Sequence, residues 1–248
     1  MNRRTRILVL LPALGLFAFL LMWAVVDLPD FGDYVGPYGY LLNHVVVPER
    51  HMTNVVTAVV FDYRGFDTMG EEFILFGAVT GVVLLLRADE RGEKDVGDAV
   101  GSDTVRVVGI VLAGATLLVG LWLIAFGFVT PGGGFQGGVI VAAAVFCVFL
   151  CSDFNAWRGV SSQKVLDPLE GLGAGGYVVI GLAALVAGFP FLTNELLGPG
   201  VPGTLQSGGV GPFVNWSVAL AVTAAILVLF GEFLEEYIVP LATGGTNR

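Results

Sequence analysis

Charge is what this chain has least of. Asp, Glu, Lys and Arg make up 13% of its 248 residues, about half the share in an ordinary soluble domain. A soluble globule of this composition would lack the charge to solvate its surface. There are two cysteines and two histidines. Cys147 and Cys151 lie four apart in an apolar run, the spacing of packing neighbours on one helix face. His44 and His51 fall in a polar stretch without the spacing of a helical metal pair. No nucleophile–base set, metal-ligand cluster or nucleotide loop is found, so nothing supports a hydrolase or a dehydrogenase within this chain, and neither a metal nor a cofactor is expected. The absence of a concentrated basic patch excludes nucleic acid as a partner.

Apolar residues are abundant. They form 55% of the chain, and the mean hydropathy of +0.82 lies outside the soluble range. The expected fold is an all-α integral membrane protein with about six spans, each about 20 residues long. The expected spans are 7–26, 72–86, 105–129, 135–150, 173–192 and 213–230. The first follows Arg3, Arg4 and Arg6 and reads as an uncleaved anchor. Residues 28–52 are too polar to span, and Pro29, Pro37, Gly36 and Gly39 are expected to break regular structure there. The apolar run before Asp62 is too short to cross, so a short broken or re-entrant helix is expected at 54–62. Placing the N-terminus in the cytoplasm puts nearly all Lys and Arg on the inner side and leaves Arg50 and Arg64 outside. Both termini are therefore expected to be cytoplasmic.

Three constellations bear on function. The first is the charge knot Asp62, Arg64, Asp67, Glu71 and Glu72, set between apolar runs. Ionisable groups in such a setting are functional candidates by default. Arg64 is suited to a bidentate pair with one carboxylate, leaving others to bind a cation or carry a proton. The bland alternative is an interfacial cluster in which Asp62 and Thr68 cap helices. The second is Thr130–Gly138, with five glycines in nine residues: Gly132, Gly133, Gly134, Gly137 and Gly138 beside Pro131. It reads as a tight hairpin that packs helices closely, or whose open backbone lines water. The third is Glu232, Glu235 and Glu236, of which Glu232 is the candidate for ion handling and the others are solvated. Asp27, Glu170 and Glu195 read as interface or loop residues.

Thr130–Gly138 and the helix after it, Val139-Ile140-Val141-Ala142-Ala143-Ala144, resemble the signature of the B-type subunit of Mrp (Mnh) multisubunit sodium/proton antiporters. Asn54–Glu71 is similar to the C-terminal portion of the large A-type subunit, a piece that also occurs as the small E-type subunit of membrane-bound hydrogenases. The resemblance implies a two-span module over 1–88, a cytoplasmic linker over 89–104 and a four-span B-like domain over 105–248. Two normally separate pieces would then be joined, and a large A-type partner would lack its C-terminal piece.

The implied function is that of a subunit of a cation/proton antiporter in a prokaryotic cell membrane. The implied partners are large A and D type subunits, small C, E, F and G type subunits, the lipid bilayer, and transported sodium and protons. No lysine is expected inside a span, so an accessory role is implied, with the main relay in the large subunits. The same ion work in a redox-driven, hydrogenase-type machine is the second reading. A structural scaffold is the third.

Overall fold

The computed structural model describes residues 3–26, 28, 36–86, 102–152 and 154–244, without the side chains of 3–6, 9, 154–155 and 235–244. The expected charged loop after Leu86 and most of the expected linker at 89–104 lie outside these residues. So do Asp27, Pro29 and Arg248, and the side chains of Glu235 and Glu236.

The elements are α1 (Arg3–Val26), α2 (Pro37–Arg50), α3 (Val55–Ala58), a π-helical turn (Val59–Tyr63), α4 (Gly65–Leu86), α5 (Asp103–Phe126) and α6 (Gly134–Cys151). After these come α7 (Phe154–Val160), α8 (Gln163–Val186), a 3-10 turn (Asn194–Leu197) and α9 (Gly211–Gly244). Among the described residues, five helices are long and apolar enough to cross a membrane: α4, α5, α6, α8 and the Gly211–Leu234 part of α9. The apolar stretch of α1, Leu10–Val26, is shorter. Residues 1–41 form one compact unit and residues 42–248 another.

In the second unit α9 is the central helix. Just over half of Gly211–Leu234 is buried, against a third or less of each other span. Val214, Val218, Val222, Ala224 and Ala225 supply its buried faces, and α4, α6 and α8 lie against it. Lipid tails are as apolar as these side chains, so close packing has to hold such helices together. Small residues provide it. A Cβ on Gly120 of α5 would stand 3.2 Å from the Gly137 carbonyl oxygen of α6, and one on Gly137 would stand 2.9 Å from the Gly120 oxygen. A Cβ on Gly173 of α8 would come within 2.7 Å of the Ser217 oxygen of α9.

Two expectations are corrected. Residues 37–50 are helical: Pro37 stands at the first helical position, where its missing N–H costs nothing, and Leu42 and Val46, one turn apart, are buried. His44 is thus on a helix. The helix α8 begins at Gln163, ten residues before the expected 173. Lys164 therefore lies in its first turn, exposed, and Glu170 about two turns inside it.

Candidate ion-handling site

The approach to the charge knot is built by Asn54. Its side-chain oxygen accepts the N–H groups of Val56 (3.1 Å) and Thr57 (3.3 Å), which caps α3. Its amide nitrogen donates to the carbonyls of Gly127 (2.6 Å) and Thr130 (3.0 Å). Thr57 adds a hydroxyl bond to Gly127 O at 2.7 Å, and Thr53 one to Val129 O at 2.5 Å. The chain before the knot is thereby fixed to the loop that opens the glycine segment. It then widens into the π turn, a form common where helices are re-aimed for function, and restarts as α4 after Arg64.

The knot itself divides. Asp62 pairs with Arg50, Nε to Oδ2 at 2.6 Å, and its side chain is only 5% exposed. The Nε–H does not aim along that line, so this is a close charge pair and not an aligned hydrogen bond. Arg50 also reaches Glu195 at 2.5 Å, and Asp62 accepts the backbone N–H of Asn194 at 3.2 Å. Asn194 Nδ2 returns to the Arg50 carbonyl at 3.1 Å. This ring of contacts ties the end of α2 and the π turn to the connection between α8 and α9. Burial raises the Asp62 acid above its ordinary value, against the pull of Arg50 and of the Asn194 N–H. Tyr63, pushed up to about 12 by burial and by Glu49, stays a hydroxyl and donates to Glu49 at 2.6 Å.

Arg64 and Asp67 stand apart from that ring. Nε and Nη2 of Arg64 both approach Oδ2 of Asp67, at 2.6 and 2.5 Å. One oxygen takes both, so the expected bidentate geometry is not formed. The pair is surface-exposed, at 64% and 51% for the two side chains, and Glu71 is exposed too. Glu72 faces the opposite way. It is 2% exposed, and neither carboxylate oxygen has a hydrogen-bond partner among the described residues. Thr68 is buried on the same face and donates to Val60 O at 2.7 Å. Neither Asp62 nor Thr68 caps the helix expected of it: Asp62 serves the first residue of the 3-10 turn.

The glycine segment packs. Gly134 donates its N–H to Asn215 Oδ1 of α9, and Asn215 Nδ2 donates to Ile124 O of α5 at 2.6 Å. A Cβ on Gly138 would stand 3.0 Å from Ala219 O. Pro131 and Gly132 line a cleft of about 450 Å³ with Thr53, Asn54, Val129 and Gln136. Gly133 precedes α6, where a Cβ would meet the Gln136 side chain at 2.5 Å. Glu232 is distant in sequence and separately housed in α9, buried, and accepts Gln163 Nε2 at 3.2 Å.

Sequence reasoning missed Arg50, Glu195 and Asn194 as members of the site, and it missed the burial of Glu170. Arg50 had a legible signal: with Arg64 of the charge knot it was one of only two basic residues placed outside. Among the described residues no group of three or more His, Cys, Asp or Glu is placed to hold a metal ion.

The chain is 32% identical over 208 residues to an uncharacterised protein of Methanocaldococcus jannaschii, covering 75% of this chain and 76% of that one. It is 27% identical over 170 residues to a probable K+/H+ antiporter A/B-type subunit of Rhizobium meliloti, covering 58% of this chain and 16% of that one. A chain of the membrane-bound sulfane sulfur reductase, an archaeal respiratory membrane complex, superposes with TM-score 0.70 at 30% identity, over 93% of this chain and 98% of that one. A chain of the Mrp complex from Dietzia sp. superposes with TM-score 0.72 at 25% identity, over 94% of this chain and 26% of that one. The family profile described as a domain related to the MnhB subunit of Na+/H+ antiporter matches residues 104–240. That match spans more than half of the 248 residues, and the chain, a multi-pass membrane protein, belongs to this MnhB-related family.

Proposed function

We propose that the chain is an integral subunit of a multisubunit cation/proton antiporter and that it meets a neighbouring protein of the complex through the exposed charged stripe of α4. One observation carries this reading. Arg64, just before α4, and Asp67 and Glu71, one turn apart on it, are all exposed, at the start of a helix long enough to span. Lipid does not solvate such groups, whereas a partner protein or a water-filled route does. The large antiporter-type subunits and the small subunits of the same assembly are the expected partners, with both termini on the cytoplasmic side. Asp67 and Glu71 handle the cation or proton at that seam, and Arg64 holds Asp67. Asp62 is a docking residue, neutralised by Arg50. Residues 42–86 and the four-span part after 105 work as one piece, held by Asn54 and Arg50.

A second reading has its own support. The reductase chain is matched over nearly its whole length, which favours the same seam in the membrane arm of a redox-driven complex.

The test is cation-dependent collapse of a proton gradient in vesicles carrying the intact complex. Glu71→Gln is expected to cut exchange by about tenfold or more, a barrier change of about 1.4 kcal/mol, with assembly preserved. Full exchange in that variant would leave the chain as a scaffold.

A further inference from the structure

A second polar feature lies away from the Arg50 ring. A cleft of about 310 Å³ opens between α4, α8 and α9, lined by Phe76, Val79, Thr80, Val83, Glu170 and Val228, with Asp167 and Gly171 at its edge. The exposed lining includes the polar Thr80 and Asp167, and the buried wall, with Val79 and Val228, is apolar. Glu170 is the exception: the residue is 7% exposed, and its buried Oε1 has no hydrogen-bond partner among the described residues. A carboxylate oxygen buried without a partner in such surroundings is costly, and the cost falls when the carboxyl carries a proton.

The surroundings also decide between a proton and a metal cation. A monovalent cation stripped of water needs several oxygen ligands. Apart from Glu170, the buried wall offers hydrocarbon, and Asp167, one turn earlier on α8, is exposed at the mouth. A proton needs one oxygen only. Asp167 and the hydroxyl-bearing Thr80, also exposed, give the mouth the polarity to pass a proton from water to Glu170.

We propose that the cleft between α4, α8 and α9 is a proton-binding site of the membrane interior in which Glu170 holds the proton. The site rests on the antiporter reading only for the use made of that proton, since binding is a property of the cleft itself. The other titratable groups on the packed elements, among those whose side chains are described, are Lys164, Asp167 and Tyr177 on α8, Asp67, Glu71 and Glu72 on α4 and Glu232 on α9. Glu72 lies eight residues from Thr80, about 12 Å along the axis, too far for direct transfer. Glu232, one turn beyond Val228, is engaged by Gln163.

Dicyclohexylcarbodiimide provides the test, because it enters apolar clefts and reacts there with protonated carboxyl groups. The acid proton passes to a carbodiimide nitrogen, the carboxylate oxygen adds to the central carbon, and the adduct rearranges to a stable acylurea. Membranes holding the whole complex are labelled over a range of pH, with and without sodium and potassium, and the peptides are read by mass spectrometry. The expected result is a label on Glu170 that declines as the pH rises, is unaffected by either cation, and is lost in Glu170→Gln. Two results would overturn the proposal. One is no label on Glu170 in membranes whose other interior carboxyls react. The other is a label that the cations suppress at constant pH, which would make the cleft a cation site. Either can occur with exchange intact, so failure here is separable from failure of the antiporter reading.

Discussion

Arg50 and Arg64 show how differently two arginines act in one small region. Arg50 neutralises a buried carboxylate and at the same time bridges to Glu195. Arg64 pairs with an exposed neighbour three residues on. Removing one partner of a buried pair strands the other, at a cost of about 3–5 kcal/mol. Arg50→Ala is therefore expected to destabilise the detergent-extracted protein by about 3 kcal/mol, since Arg50 keeps some exposure. Arg50→Ala combined with Asp62→Asn should recover part of the loss, because the stranded charge is gone. Arg64→Ala should stay within about 0.5 kcal/mol of the parent, as exposed pairs do. Thermal unfolding followed by tryptophan fluorescence reads all three. Equal effects of the two arginines would show that the Asp62 pair is not the anchor.

At the scale of elements, much was legible and some was not. The spans now seen as α5 and α6 lay within a few residues of their expected positions, because each is a long apolar run closed by polar or glycine-rich sequence. The helix α8 was placed late because Asp167, Pro168 and Glu170 dilute its first turns, and hydropathy is blind to a carboxylate that a neighbouring helix buries. The helix α2 was missed for the opposite reason: its prolines stand near its ends, where they are tolerated, and Pro48 falls in its last turn. The partition of the charge knot was not legible either. Spacing along a helix shows that Glu72 faces away from Asp67, but the pairing of Asp62 with Arg50 depends on how the α8–α9 connection folds back. The glycine segment carries the clearest element-scale prediction. Gly137 meets Gly120 across the α5–α6 seam, so Gly137→Val forces the helices apart. Overpacking of this kind costs about 1–3 kcal/mol, expected as a lower yield of folded protein in size-exclusion chromatography. A Gly137→Val protein with unchanged yield and stability would mean that the seam tolerates a wider spacing.

For the whole molecule, the family match and the exposed charged stripe lead to the same expectation: this chain does not work alone. Its spans leave many large apolar side chains exposed, among them Ile74, Leu84 and Leu85 on α4, beside a stripe that lipid does not solvate. The matches to chains of two different membrane complexes agree with that. The most direct measurement is mass spectrometry of the particle that purifies in mild detergent on a C-terminally tagged chain. Antiporter reading and stripe together predict large antiporter-type membrane subunits in that particle, with no iron–sulfur or nickel proteins, and their loss when Arg64, Asp67 and Glu71 are all replaced by leucine. A chain that purifies alone, under conditions that keep other membrane complexes whole, would contradict it.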